Sequence, residues 1–399
     1  MAERARRLAV VVVVTLGLAL TTTRGIAHKP ITSPYTYTED VFPILREHCG
    51  ACHRPGGIGP MSLLTHGETV PWGESIRLEL LAGHMPPWSV ESAPSRFQGI
   101  RRMSPRQMDV VLTWATGGTP LGSAAPRPAL ETGTAPWALG PPDLQLRLPR
   151  EFVLDTSTVE DTLEVVVPTG LADSRWVRAV DLQPGTPAVV RSATVHLELE
   201  APAATSRGTS DERLLAAWLP GDEPIALPGG AGFELPAAAG LVVRVRYKKT
   251  WQNERKEMRD RSTLGLYFAD GPAVGVKAVR LAPAASASLQ RSAVSFSRTI
   301  TEDVYALALY PDTGLSTGRV TVSAIGLDGT RRELIDFRPR AGWARRYWFR
   351  EPVALQRGTR LVATVTPDGP QVLAFSAPQS PITLAGSEMG LTINVIPAR

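Results

Sequence analysis

The sequence predicts a multidomain protein, a small all-α domain followed by all-β sandwiches. Three observations predict it. The chain has 399 residues, room for two or three domains of ordinary size. Helical periodicity is confined to the stretch before residue 120, and alternating Val-rich segments dominate after it. Between them, Leu121 to Pro142 has a linker composition, with Gly-Ser-Ala-Ala-Pro-Arg-Pro and Thr-Gly-Thr-Ala-Pro. At 43% hydrophobic and 20% charged residues the chain belongs with folded globular proteins rather than disordered ones. Gly and Pro, 35 of each, supply the turns that many short strands need.

The segment 1–27 reads as a secretory signal peptide. Arg4, Arg6 and Arg7 form a basic start, Leu8 to Leu20 is apolar, and Gly25-Ile26-Ala27 ends in small residues suited to cleavage. That apolar run falls short of the roughly 20 residues that a membrane span needs. A periplasmic or extracellular location is therefore expected, with no membrane span after signal removal. The segment carries four Arg and one Glu, so its loss lowers the formal charge from +5 to +2. The basicity thus sits largely in the signal, and no Lys/Arg block suggests nucleic acid. The expected domains are 28–123, a linker at 124–142, a first sandwich at 143–275 and a second at 276–399.

The chain has two cysteines, in Cys49-Gly50-Ala51-Cys52-His53. C-x-x-C-H is the pattern of covalent haem attachment. Two thiols one helical turn apart can add to the two vinyl groups of one haem, and the adjacent imidazole then lies under the iron. A structural zinc site would need a second cysteine pair, which is missing. A redox C-x-x-C would need a surrounding βαβ pattern. One haem c is expected, on Cys49 and Cys52, with His53 as the proximal ligand.

Three helices are expected around this motif. Glu39 to His48 carries Val41, Ile44 and Leu45 on one side and runs into the cysteines. Pro71 to Leu81 places Trp72, Ile76 and Leu80 four apart, and Gly83 stops it. Ser104-Pro105-Arg106-Gln107 opens the third as a capping box, followed by Met108, Val111, Leu112 and Ala115. Three helices around one C-x-x-C-H resemble a class I cytochrome c domain. Met85, in Gly83-His84-Met85-Pro86-Pro87-Trp88, is the expected sixth ligand, because bacterial cytochromes c similar to this one place the sulfur in a Met-Pro-Pro loop. Trp88 would shield the haem. Met61 is the runner-up, with Met103 as core filling. His66 or His84 would give a bis-His haem instead.

After the linker, Leu163 to Val167, Trp176 to Val180, Leu241 to Tyr247 and Arg360 to Thr366 read as strands. Residues 141–389 resemble the copper type II, ascorbate-dependent monooxygenases, the family of peptidylglycine and dopamine hydroxylases. The resemblance rests on Pro141-Pro142-Asp143-Leu144, Val167-Pro168-Thr169-Gly170-Leu171 and Trp176-Val177-Arg178-Ala179-Val180. It extends through Pro184-Gly185, Gly265-Leu266-Tyr267-Phe268-Ala269, Asp328-Gly329 and Tyr347. It implies a pair of jelly-roll sandwiches with one copper on each. With the leading domain included, the expected class is a small all-α cytochrome c domain ahead of all-β tandem jelly-roll sandwiches.

The copper ligands that the resemblance implies are largely replaced. Arg191-Ser192 stands where a His-His pair follows Val189-Val190, and Arg246 stands where a later His precedes Tyr247. Asp312-Thr313-Gly314 stands where His-x-His follows Pro311, so Asp312 and Gly314 take the ligand positions. Met389, in Glu388-Met389, alone matches. The count agrees independently of register. Of six His (His28, His48, His53, His66, His84, His196), only His196 lies beyond residue 120, while two such centres need five. Alternation in Val195-His196-Leu197-Glu198 places His196 on a polar face. Copper is therefore not expected. The charged run Glu254 to Arg261 reads as a solvated loop that could steer a redox partner protein.

Three functions are weighed. The leading one is electron transfer by an exported monohaem cytochrome c, not itself an enzyme, with the sandwiches kept for docking or binding. The second is a monooxygenase-like oxidoreductase fed electrons by the haem, disfavoured by the replaced histidines. The third is a haem-based sensor or binding protein.

Overall fold

The computed structural model describes residues 32–87, 90–100, 102–123, 137–198, 214–283, 293–311, 318–340, 342–367 and 390–398. The signal-like segment, Trp88, most of the linker, Asp312, Gly314 and Met389 lie outside the described residues.

The helices come first and are short. A π-helical turn at Tyr37–Val41 leads into the helix Phe42–His48, whose Phe42, Ile44 and Leu45 are buried. His66–Thr69 is a single turn, capped by the Thr65 hydroxyl. Gly73–Leu81 follows a 3-10 turn at Val70–Trp72 and buries Ile76 and Leu80. Pro105–Thr116 starts on the expected capping box: the Ser104 side chain accepts from the Gln107 amide, and the Gln107 side chain accepts from the Ser104 amide. These helices enclose one apolar cluster around Tyr37, Leu45, Leu63, Val111 and Trp114.

Nineteen strands follow among the described residues. The first eleven are β1 (Leu144–Arg147), β2 (Phe152–Leu154), β3 (Glu160–Pro168), β4 (Arg175–Gln183), β5 (Val190–Leu197), β6 (Leu214–Trp218), β7 (Ala231–Leu235), β8 (Gly240–Lys248), β9 (Met258–Asp260), β10 (Thr263–Phe268) and β11 (Val274–Gly275). The remaining eight are β12 (Lys277–Leu281), β13 (Val294–Thr299), β14 (Val304–Pro311), β15 (Arg319–Ile325), β16 (Arg331–Phe337), β17 (Tyr347–Leu355), β18 (Arg360–Thr366) and β19 (Leu391–Pro397).

In the first half, a sheet ordered β1-β10-β4-β7-β11 faces one ordered β3-β8-β5-β6, and β2 pairs with β9. Alternate residues point inward, as period-2 strands require. Val177 and Leu182 of β4, Leu163 of β3, and Val243 and Val245 of β8 thus share one core. In the second half, β12-β19-β14-β17 faces β13-β18-β15-β16 across a core holding Leu309, Val322, Leu361 and Ile393. Pairing among the described strands is antiparallel except between β7 and β11. The charged run Glu254 to Arg261 is not all loop. It ends in β9, where Asp260 is buried and accepts from the Tyr247 and Ser262 hydroxyls.

The fold class expected from the sequence is corrected here. The chain is mostly β with few, short helices, and among the described residues no small all-α cytochrome domain stands apart from the sheets. The reason lies between the helices. Residues 90–100 leave the helical segment and join the second sandwich: Val90 bridges Phe337 and Phe97 bridges Phe349. Both side chains are essentially fully buried, inside that sandwich's core rather than among the helices. Helical periodicity in the flanking segments gave no hint of this pairing, because the partners come from the far end of the sequence.

Candidate functional site

Cys49, Cys52 and His53 form one turn at the end of the helix Phe42–His48. The Cys49 amide donates to Leu45 O at 2.8 Å, and the Cys52 and His53 amides donate to Cys49 O at 3.1 and 2.8 Å. The following loop folds back on the turn. Gly59 donates to Cys52 O at 2.9 Å and Leu63 to His53 O at 3.0 Å. The backbone therefore fixes the imidazole from both sides.

His53 Nδ1 lies 3.2 Å from Met61 O. A carbonyl only accepts, so Nδ1 carries the proton and Nε2 keeps its lone pair. This is the orientation a metal-binding imidazole needs. Burial lowers the His53 pKa, partly offset by that carbonyl, so the ring is held in the neutral form that ligates metals. Gly59 is required beside it. A Cβ there would sit 2.6 Å from His53 Nδ1 and 2.9 Å from Cγ.

Both thiols are free of a disulfide. Burial pushes Cys49 up to about 12, helped by Cys52. Burial also pushes Cys52 up to about 11, with Asp222 adding to the rise and Arg191 and Arg54 opposing it. Catalytic C-x-x-C pairs depend on a depressed thiol pKa. These shifts run the other way and hold both sulfurs as neutral thiols, unlike an exchanging redox pair. Cys49 belongs to the apolar cluster of the helices, and a haem needs such an environment around its edge. The residues present thus fit a covalently held haem at this turn.

The remaining candidate ligands are scattered. Met61 and Met103 pack with Cys49 in the apolar cluster, whereas Met85 is 39% exposed and does not. Met61 presents its carbonyl to the protonated edge of the His53 ring. His66 Nε2 lies 2.8 Å from Thr119 O and its ring packs edge-on to Tyr37. That is a structural role. His84 is exposed and pairs with Glu79 at 3.2 Å. Sequence reasoning missed His48. Its side chain is 2% exposed and neither ring nitrogen is hydrogen-bonded, immediately before Cys49. Its spacing, four residues after Ile44 and three after Leu45 on the apolar side of the same short helix, was the signal that could have found it.

No family model matches the chain, and no curated protein matches it. Among solved structures, an allantoicase is similar at 13% identity over 59% of this chain and 77% of its own, with a TM-score of 0.19. The Saccharomyces cerevisiae allantoicase is similar at 11% identity over 58% of this chain and 76% of its own, with a TM-score of 0.19. The major capsid protein P2 of bacteriophage PM2 gives 12% identity over 64% of this chain and 98% of its own, with a TM-score of 0.27. Likeness at that level carries no argument about fold or activity.

The motif abuts the first sandwich. Arg191, at a position where the sequence resemblance implied a copper histidine, donates from Nη1 to Ile58 O at 3.0 Å. Cys52 Sγ lies 3.7 Å from Pro220 O. Arg246, at another such position, pairs with Glu160 across β3 and β8. Ser192 pairs opposite Arg246 on β8, and His196 is half-buried on β5 opposite Val242. A cavity of about 330 Å³ opens between the Cys-His turn and this sandwich, bordered by Ala51, Arg54, Asp181, Pro220 and Asp222. Among the described residues no three His, Cys, Asp or Glu side chains gather as a metal site. No helix among them is long and apolar enough to cross a membrane.

Proposed function

We propose that the chain is an exported c-type cytochrome that carries one haem covalently on Cys49 and Cys52 and transfers electrons. The observation that carries the reading is the His53 imidazole, oriented by Met61 O with Nε2 left for iron, adjacent to Cys52 and four residues from Cys49, both half-buried thiols. When bound, the haem supplies reversible one-electron Fe(II)/Fe(III) chemistry. The chain's part is to hold the imidazole neutral, to exclude water with Leu45, Leu63 and Leu64, and to present the motif beside the first sandwich. The sandwiches serve docking or binding rather than hydroxylation. Supporting this, Arg191 and Arg246 stand where a hydroxylase would need imidazole, and a permanent cation cannot ligate copper.

Met85 is the proposed sixth ligand. Met103, whose sulfur shares the apolar cluster with Cys49, is the competitor to test.

The test is expression with haem-attachment machinery in a periplasm. One haem that stays with the polypeptide through denaturation is expected, and C49A/C52A should abolish it. M85A should convert a six-coordinate ferrous spectrum to one that binds CO rapidly, while M103A leaves it six-coordinate. A matured protein with no covalent haem, or with two copper ions per chain, overturns the reading.

A further inference from the structure

The seam between the two sandwiches buries two successive arginines at the entry to β17, Arg345 and Arg346. Their surroundings differ. Arg345 Nη1 lies 3.1 Å from Asp222 Oδ1, an ion pair without good hydrogen-bond alignment, and its Nη2 donates to Gly99 O at 3.0 Å. Arg346 pairs with no carboxylate among the described residues. Its Nη1 and Nη2 donate to Leu215 O and Leu214 O at 2.9 and 2.8 Å. Its guanidinium lies 5.4–5.9 Å from the ring centres of Trp348, Phe233 and Tyr310. Arg346 is 6% exposed, and its Nε has no hydrogen-bond partner.

A buried permanent cation with carbonyl and ring partners but no carboxylate has its desolvation cost only partly offset. Burial pushes the Arg346 pKa down to about 10, and the group is still charged at neutral pH.

Arg346 also borders a cavity of about 50 Å³. That exceeds the ~10–15 Å³ that one water needs and suits one small ion. The charged groups around it, among the described residues, are Arg178, Arg345 and Arg346 against Asp222 and Glu223. Three guanidiniums face two carboxylates, so one positive charge is left over. Burial also raises the Asp222 carboxyl to about 6.

We infer that this cavity is a binding site for one small monovalent inorganic anion, of halide size, held against Arg346 at the seam of the two sandwiches. The anion supplies the missing counter-charge and offers Nε an acceptor. It thereby locks β6, which gives Leu214 and Leu215, to β17 of the other sandwich. The inference is independent of the haem reading.

The test uses the full chain in halide-free buffer. Sodium gluconate is replaced by sodium bromide at constant ionic strength, and thermal unfolding is followed. A saturable rise in Tm is expected for the parent. R346Q, which keeps side-chain amide donors but not the charge, should need at least tenfold more bromide for the same rise. Crystals grown in bromide should show an anomalous peak beside Arg346 in the parent, a result that stands even where R346Q fails to fold. Absence of either the saturable shift or the peak at the seam overturns the inference.

Discussion

The helical segment meets the two sandwiches in opposite ways. Toward the second it surrenders chain: Val90 and Phe97 bridge its strands and lie in its core, with Phe97 stacked 5.2 Å from Phe349. Gln98 and Arg96 add bonds to Phe349 O and Glu333 O. Toward the first sandwich its contacts are scattered, Arg191 to Ile58 O, Cys52 to Pro220 O and the Trp72 ring 6.4 Å from that of Trp251, around a cavity of about 330 Å³. One side is a weld and the other a cleft. Ala51 and Arg54 of the Cys-His segment border the cleft.

The largest expected effect tests the weld. Phe97→Ala removes a buried ring from a packed core and should destabilise the chain by about 3–5 kcal/mol in urea unfolding. A loss under about 1 kcal/mol would make the contact superficial. Asp181→Asn probes the cleft and acts in the other direction. Burial raises Asp181 from 3.8 to about 6 in the folded chain. The charged form is therefore the costly one. The cost is absent below the unfolded value, grows between about 4 and 6, and is complete above that. Asp181→Asn should stabilise the protein by on the order of 2 kcal/mol at pH 8 and by nothing near pH 3. A difference that does not vary with pH would place the carboxyl in water.

Arg191→Met should cost about 1 kcal/mol, since a charge-assisted bond to Ile58 O is lost while desolvation of the guanidinium is relieved. Faster amide exchange confined to residues 57–59 is the expected signature, and global destabilisation would mean that this side is welded too. Glu164→Ala breaks an exposed pair with Arg244 and should change stability by less than about 0.5 kcal/mol. It serves as the control for surface charge.

Local patterns in the sequence carried much of this. The capping box at Ser104, the strands at Leu163, Trp176, Leu241 and Arg360, and the cysteine turn all follow from spacing over a few residues, and all form as the spacing dictates. What was not legible depends on distant chain. Val90 and Phe97 sit among Pro, Ser and Gly, where an isolated apolar residue reads as loop. Only Phe337 and Phe349, from the far end of the sequence, make them core. This is why a free-standing all-α domain was expected and is not found. Nothing in the local sequence marks Arg345 and Arg346 for burial, and strand alternation would bury at most one of two neighbours. Their burial follows from the second sandwich closing against the first. At the motif, the cysteines and His53 were evident and the Met-Pro-Pro loop singled out Met85, but that Met85 stays exposed while Met103 packs against the helical core depends on the tertiary fold.

The weld through residues 90–100 also bears on inheritance. A segment whose middle completes another sandwich's core cannot be cut out at its two ends and moved. Removed with the helices, it would leave a gap under Phe337 and Phe349 and carry away Val90 and Phe97 with nothing to cover them. The helical segment that carries the Cys-His turn and the second sandwich can therefore be transferred intact only together, even though the whole of the first sandwich separates them along the chain.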